Sequence, residues 1–385
     1  MKVTVAIDSF KGSMTTMQAA NAACEGIKRV FPNAEVHLCP LADGGEGTVN
    51  ALVRENKEFL CIKEVCGPLG EAVKAEYGII DGGKTAVIEM ATAAGLTLVE
   101  PSKRNPMYTT TYGVGELIKD ALSRGCRNFI IGIGGSATND CGIGMLSALG
   151  FEFTDENGDA VQPTAAGLEK IKNISVEKMI PELSECRFHI ACDVKNVLCG
   201  ENGCSHVYGP QKGATPEDII KMDAWMQKFA YLTAQKFGKD NSLYPGAGAA
   251  GGLGFAFISY LGGSLESGID MVIRETSLEE YIKDSDIVVT GEGRLDSQTA
   301  MGKAPVGVAK IAGKYNIPVI AFAGGIADGA ELCNESGISA FFPIVRKPCD
   351  LSEAMKFENA YKNMSDTAEQ AFRMIRACFK IKALG

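Results

Sequence analysis

The sequence predicts an α/β protein made of two α/β domains, one flavodoxin- or Rossmann-like and discontinuous, the other inserted into it. Three observations predict this. Short apolar, β-branched runs alternate with helical patterns. Most of those runs end in loops of glycine, acids and small polar residues. The two chain ends share that style and enclose a middle with strands of its own. At roughly 150 residues per domain, 385 residues fit two or three domains.

Composition narrows the classes. Hydrophobic residues make up 46% and charged residues 22%, which supports a sizeable core and excludes dominant disorder. The net charge of −9, with no basic block, disfavours nucleic acid and anionic membranes as partners. Glycine is in excess, 45 residues against an average of roughly 7%. The thirteen cysteines form no Cys-x-x-Cys pair, so free thiols in a reducing cytoplasm are expected. Met1–Asp8 holds too short an apolar stretch for a signal peptide. The uncharged stretch 246–263 contains seven glycines and reads as a turn feeding a buried helix, not a membrane span.

Residues 2–7 predict a buried strand. The loop Asp8–Ser13 follows, and Thr15 with Gln18 forms a capping box. Ala19, Ala20, Ala23, Ile27 and Val30 then keep helical spacing up to Pro32. Residues 34–39 form a second strand, and the loop Asp43–Thr48 opens another helix. The middle has strands at 86–90, 128–133 and 187–191. Toward the end, 286–290 is a strand followed by a Gly291–Asp296 loop. Residues 305–315 are helical, 317–322 form a strand ending at Gly324-Gly325, and 352–381 are mostly helical. Met364, Phe372, Met374, Ile375 and Phe379 make the core face of that last helix. The seams are placed so that 1–60 and 284–385 form one domain and 61–283 the other.

Ligands of doubly wound sheets bind at the carboxyl ends of strands. Asp8, Asp43 and Glu292 sit just past such ends, beside Lys11 and Arg294. Acids there suit a hard cation and the basic residues suit an anion. The plainer reading is that an acid after a strand caps the next helix. Gly132–Gly142 is the densest glycine loop, opening a helix at about 140–145. Its small residues free backbone N–H groups for an anion. Asp193 ends a strand and suits either proton acceptance or an Asx turn. His37 and His189 read as sheet residues. Protein-kinase, zinc-protease and serine-hydrolase motifs are missing. The Gly-Lys pairs, Gly83-Lys84 among them, are read as lacking the neighbours of a P-loop. Neither chain end has a strand–Gly-x-Gly-x-x-Gly–helix unit, which disfavours a nicotinamide dehydrogenase.

Six segments together resemble the bacterial two-domain glycerate kinase family, which is unrelated to P-loop and protein kinases. They are Asp8–Ser13, Ala42–Thr48, Gly134–Asp140, Ala191–Val194, Tyr208–Gly213, and Thr290–Ser297 with Thr299–Pro305 behind it. The resemblance implies ATP-dependent phosphorylation of D-glycerate with Mg²⁺. It also implies an active site in the cleft between a flavodoxin- or Rossmann-like domain and an inserted one. The expected product is 2-phosphoglycerate. The alternatives are 3-phosphoglycerate, or a non-catalytic nucleotide- or phosphosugar-binding protein.

Roles follow on that resemblance. Asp193 accepts the hydroxyl proton, and Lys11 and Arg294 complete the catalytic set as cations for the glycerate carboxylate. Asp8, Ser13, Gly44, Gly45, Gly134, Gly135, Ser136, Thr138 and Asn139 bind substrate or phosphate. Asp43 and Asp296 hold the metal, with Asp8 a further candidate. The expected partners are D-glycerate and ATP, without nucleic acid or membrane, and self-association is left open.

Overall fold

In chain order the strands are β1 Lys2–Ile7, β2 Glu35–Leu38, β3 Leu60–Cys66, β4 Ala72–Ile80, β5 Thr85–Glu89, β6 Asn128–Gly132 and β7 Glu152–Thr154. There follow β8 Asn173–Ser175, β9 Arg187–Ala191, β10 Ser264–Glu266, β11 Ile287–Leu295, β12 Val319–Ile326 and β13 Ala340–Pro343. The structure, a computed structural model, describes residues 1–42, 47–53 and 59–382, with side chains to residue 378. The chain divides into one unit of Met1–Asp43 with Ile269–Gly385 and a second of Gly44–Gly268.

The first unit carries a parallel sheet in the order β13-β12-β11-β1-β2. Numbered within the unit this is 2-1-3-4-5, the flavodoxin-like order, and it reverses between β1 and β11. β1 forms because Val3–Ile7 are all buried, as a strand covered on both faces requires. The helix Thr16–Val30 starts at the expected box: Thr15 Oγ1 accepts from Gln18 N at 3.3 Å, and Gln18 Oε1 from Thr15 N at 2.9 Å. It packs closely on the helix Phe357–Lys382, where a Cβ added to Gly26 would stand 2.1 Å from Ser365 O. On that last helix Met364 and Phe372 are buried and Ile375 packs against the core. Met374 does not, at 55% exposure, because it lies off the face that Phe372 and Ile375 share three residues apart. The side chain of Phe379 lies outside the described residues.

The structure corrects the loop expected at Gly291–Asp296. β11 continues through Glu292 and Arg294 and pairs with β12 as far as Leu295 opposite Ile326. β12 likewise runs on through Gly324 and Gly325. The glycines permit this by removing side chains from a tight approach. A Cβ on Gly291 would lie 2.2 Å from Phe322 O, and one on Gly324 2.5 Å from Gly293 O.

The second unit has a six-stranded sheet, β10-β9-β6-β5-β4-β3. β5, β6, β9 and β10 are parallel, while β3–β4–β5 is an antiparallel meander. Ile88, Phe129, Ile131, Phe188 and Ile190 from these strands pack with Leu117, Met145, Phe229 and Phe257 from helices in one core. The glycine-rich stretch becomes the helix Ala249–Leu261, entered through Ala250, Gly251 and Gly252 at positive φ. Among the described residues no helix is long and apolar enough to cross a membrane. All thirteen cysteines are free thiols.

The unit seams fall earlier than those drawn from the sequence. The helix Thr48–Val53 packs on β4 and β5, with Val53 against Gly78. At the other seam, Ile269 packs under Gly307 of the helix Ala304–Lys314. The structure also corrects the reading of Gly83-Lys84. Gly78 to Thr85 does spell Gly-x-x-x-x-Gly-Lys-Thr, the letters of a P-loop. Here they run from β4 through a tight turn into antiparallel β5, without the helix N-terminus that a phosphate loop needs.

Candidate active site

In the first unit β1 ends beside the middle of β11, which runs on past it to Leu295. Ile7 is in register with Gly291, and the Asp8 amide donates to Gly291 O at 2.9 Å. Asp8 and Glu292 therefore flank the point where strand order reverses, the usual ligand position in open α/β sheets. Asp8 is buried, and its Oδ1 accepts from the Ser9 amide at 2.6 Å. Glu292 Oε1 accepts from Thr299 Oγ1 at 2.5 Å. Lys11 is exposed on the loop leaving β1, with its backbone against Gly293. Ser13 Oγ, on the same loop, is buried without a hydrogen-bond partner among the described residues.

Arg294 is exposed, its Nε 3.9 Å from Asp296 Oδ2. Asp296 Oδ1 caps the short helix Ser297–Ala300, accepting from Gln298 N at 2.9 Å and Thr299 N at 3.2 Å. One oxygen of Asp296 is thus spent on a helix cap. The sheet thus brings Asp8, Lys11, Ser13, Arg294 and Asp296 to one edge. Asp43, Gly44 and Gly45 lie outside the described residues.

The second unit presents its own carboxyl edge. Glu89 pairs with Gly132 and Gly132 with Ala191, so the segments after β5, β6 and β9 leave side by side. Asp193, exposed beyond β9, accepts through Oδ1 from the Gly268 amide at 3.0 Å. Gly268 is the first residue of the helix Gly268–Thr276. Glu89, not singled out from sequence, is buried and accepts from Gly47 N at 3.1 Å and Val49 N at 2.8 Å. The signal was present, an acid closing an otherwise apolar run.

The loop Gly134–Asn139 is partly tied to the segment Ala94–Leu96. The Ala137 amide donates to Ala94 O at 2.9 Å, and Gly135 O accepts from Leu96 N at 2.8 Å. Gly134 and Gly135 face solvent, and Gly135 has φ +76°. Thr138 and Asn139 turn inward with no exposure. Asn139 Nδ2 donates to Ser205 Oγ at 2.9 Å. These two shape the loop, leaving Gly134 and Gly135 as its outward part, with Ser136 buried beside them.

Asp140, fully buried, anchors the turn. It accepts from Thr111 N and Oγ1 at 2.8 and 2.7 Å, and from Gly142 N and Gly144 N at 3.1 and 3.2 Å. Burial pushes its carboxyl above the usual range, against the pull of those bonds. The helix begins at Ile143, later than the sequence placed it, because Cys141 and Gly142 both take positive φ.

Lys212 was also missed. Its segment, Gly-Pro-Gln-Lys-Gly, reads from sequence as exposed backbone, yet Lys212 is 3% exposed. Its Nζ donates to Thr138 O at 2.6 Å and to Ser136 Oγ at 2.8 Å. Burial pulls its pKa down to about 8. One edge thus gathers carboxylates and cations, and the other sets an exposed glycine loop over a buried cation. Both suit a phosphorylated reactant.

Known proteins identify the assembly. A model of the glycerate kinase family matches residues 3–376. The glycerate kinase of Haemophilus influenzae is 46% identical over 375 residues, 97% of this chain and 99% of that one. The glycerate 2-kinase of Escherichia coli is 44% identical over 364 residues, covering 94% and 95%. A crystal structure of a candidate glycerate kinase 2 from Salmonella typhimurium LT2 matches with a TM-score of 0.90 at 42% identity, over 99% of both chains. The chain is an enzyme that belongs to the glycerate kinase family.

Proposed function

We propose that this kinase transfers the terminal phosphoryl group of ATP to D-glycerate, with Mg²⁺, and releases 2-phosphoglycerate. The observation that supports the product is the likeness, over nearly the whole of both chains, to a protein named glycerate 2-kinase. Phosphoryl transfer passes through a loose transition state, so catalysis rests on positioning and charge neutralisation. Lys11 and Arg294 hold the glycerate carboxylate. The outward part of the Gly134–Asn139 loop takes phosphate oxygens. Asp193 accepts the proton of the attacking hydroxyl. Thirteen free thiols suit a reducing compartment, so the reaction is placed in the cytoplasm.

The donor set suits Mg²⁺. That ion takes one or two carboxylates and fills its remaining positions with phosphate oxygens and water. Among the described residues no group of three or more acids, His or Cys is arranged to hold a metal, and none is needed. Asp8 and Asp296 Oδ2 would hold it, with Asp43 a further candidate. Bound there, Mg²⁺ supplies charge neutralisation on the phosphate oxygens.

The test is direct. Purified protein with D-glycerate, ATP and Mg²⁺ should release ADP, and a chelator should stop it. Phosphorus NMR of the product should show the phosphate on carbon 2. No ADP above background overturns the reaction, and a phosphate on carbon 3 overturns the product.

A further inference from the structure

Lys212 is a buried cation whose surroundings do not neutralise it. Its ammonium has three donors, of which Thr138 O and Ser136 Oγ take two. No carboxylate lies within ion-pair distance of it among the described residues. The groups that act on it from neighbouring elements are the Cys204 thiol and the Asp140 carboxyl. Burial pushes the Cys204 thiol up to about 11. Asp140 is already committed to Thr111, Gly142 and Gly144. A buried charge without a partner is costly unless another group compensates it.

The bond to Ser136 has a direction. Ser136 Oγ accepts from Lys212, so its own hydrogen points elsewhere, and it donates to no protein atom among the described residues. Ser136 follows Gly134 and Gly135, the exposed part of the loop at the end of β6. We propose that Lys212 is a positioning residue: by donating to Ser136 Oγ it turns the Ser136 hydroxyl outward as a donor to an oxyanion of the reactants, and it lays its charge beneath that oxyanion. The inference rests on the glycerate kinase reading. Phosphate and carboxylate share the required chemistry, and ATP supplies one while D-glycerate supplies the other.

Steady-state kinetics on Lys212→Met and Ser136→Ala, with each reactant varied in turn, tests it. Losing a hydrogen bond to a charged group should raise KM for one reactant by roughly 10- to 100-fold. KM for the other should move little. Both variants should affect the same reactant, ATP if the oxyanion is phosphate and D-glycerate if it is carboxylate. The double variant should be no worse than the worse single one, since both remove one relay. Lys212→Met should melt no lower than the wild type while losing the melting shift given by the affected reactant, ADP standing in for ATP. In the wild type that KM should rise above about pH 8, where a neutral amine can accept from Ser136 and reverse the bond, and Lys212→Met should lack this rise.

Wild-type protein inactive on D-glycerate would sink the kinase reading itself. Active wild type with both singles within twofold of its KM values would overturn the role of Lys212. So would effects that multiply in the double variant, or a Lys212→Met that only melts earlier.

Discussion

The Asp193 carboxylate holds the Gly268 amide at 3.0 Å, at the first residue of the helix Gly268–Thr276. The residue proposed to accept a proton is thus also tied to a helix N-terminus, and charge and shape can be separated there. In Asp193→Asn an amide oxygen can still accept from Gly268, but the charge and the proton acceptor are lost. We expect kcat to fall by roughly 10²-fold, within the usual range for general-base help, with the melting temperature nearly unchanged. Asp193→Ala should lose that activity and also about 1 kcal/mol of stability, the typical cost of a lost cap. An Asn variant with wild-type kcat leaves Asp193 as a cap alone.

The β11–β12 approach gives a prediction about glycine. Gly291→Ala places a methyl 2.2 Å from Phe322 O, a backbone atom that cannot swing away. The strands must part at the edge that carries Glu292 and Arg294. The variant should lose both stability and kcat, read by urea unfolding and ADP release. Gly313 in the helix Ala304–Lys314 is the opposite case, with nothing within 4 Å of an added Cβ. Gly313→Ala should stabilise by roughly 0.5–1 kcal/mol and leave kcat unchanged. Equal effects at the two positions would show that the close approach at Gly291 does not govern the edge.

The sequence made visible whatever local pattern decides. β1 is an unbroken apolar run, and Thr15 with Gln18 makes its box within one turn, so both could be read directly. β5, β6 and β9 were legible as short runs rich in Ile, Val and Phe that lead into small or polar residues. Properties set by distant chain were not. Gly291 and Gly293 resemble loop residues until β12 is laid beside them. Gly78–Thr85 spells a phosphate loop until its flanks are seen to be two antiparallel strands. Of the candidate site, Asp8, Lys11 and Arg294 stand out in the sequence because acids and bases beside glycines at the end of an apolar run are conspicuous. Lys212 could not, because a lysine is usually exposed and only the packing of Thr138 and Ser136 around it shows burial. The inward turn of Thr138 and Asn139 was not legible either, since polar residues in a glycine loop look outward-facing until the packing around them is seen.

The burial of Lys212 also has a thermodynamic consequence with a definite sign. Its pKa drops from 10.5 to about 8 on folding, because the fold disfavours the charged form. Between those two values the unfolded chain binds more protons than the folded one, so the contribution of this residue to stability rises with pH. Below pH 8 the fold carries the full cost of the buried charge, and by pH 10.5 most of that cost is gone. A shift of that size corresponds to about 3 kcal/mol. Other groups titrate in the same window, so the wild type must be compared with Lys212→Met, which lacks this titration. Urea unfolding of both from below pH 8 to pH 10.5 should show the wild type gaining on the variant by about 3 kcal/mol. If the two curves run parallel, the Lys212 ammonium is as well accommodated in the fold as in water. It would then need no oxyanion to offset it, and the loop over it would lose that reason to bind one.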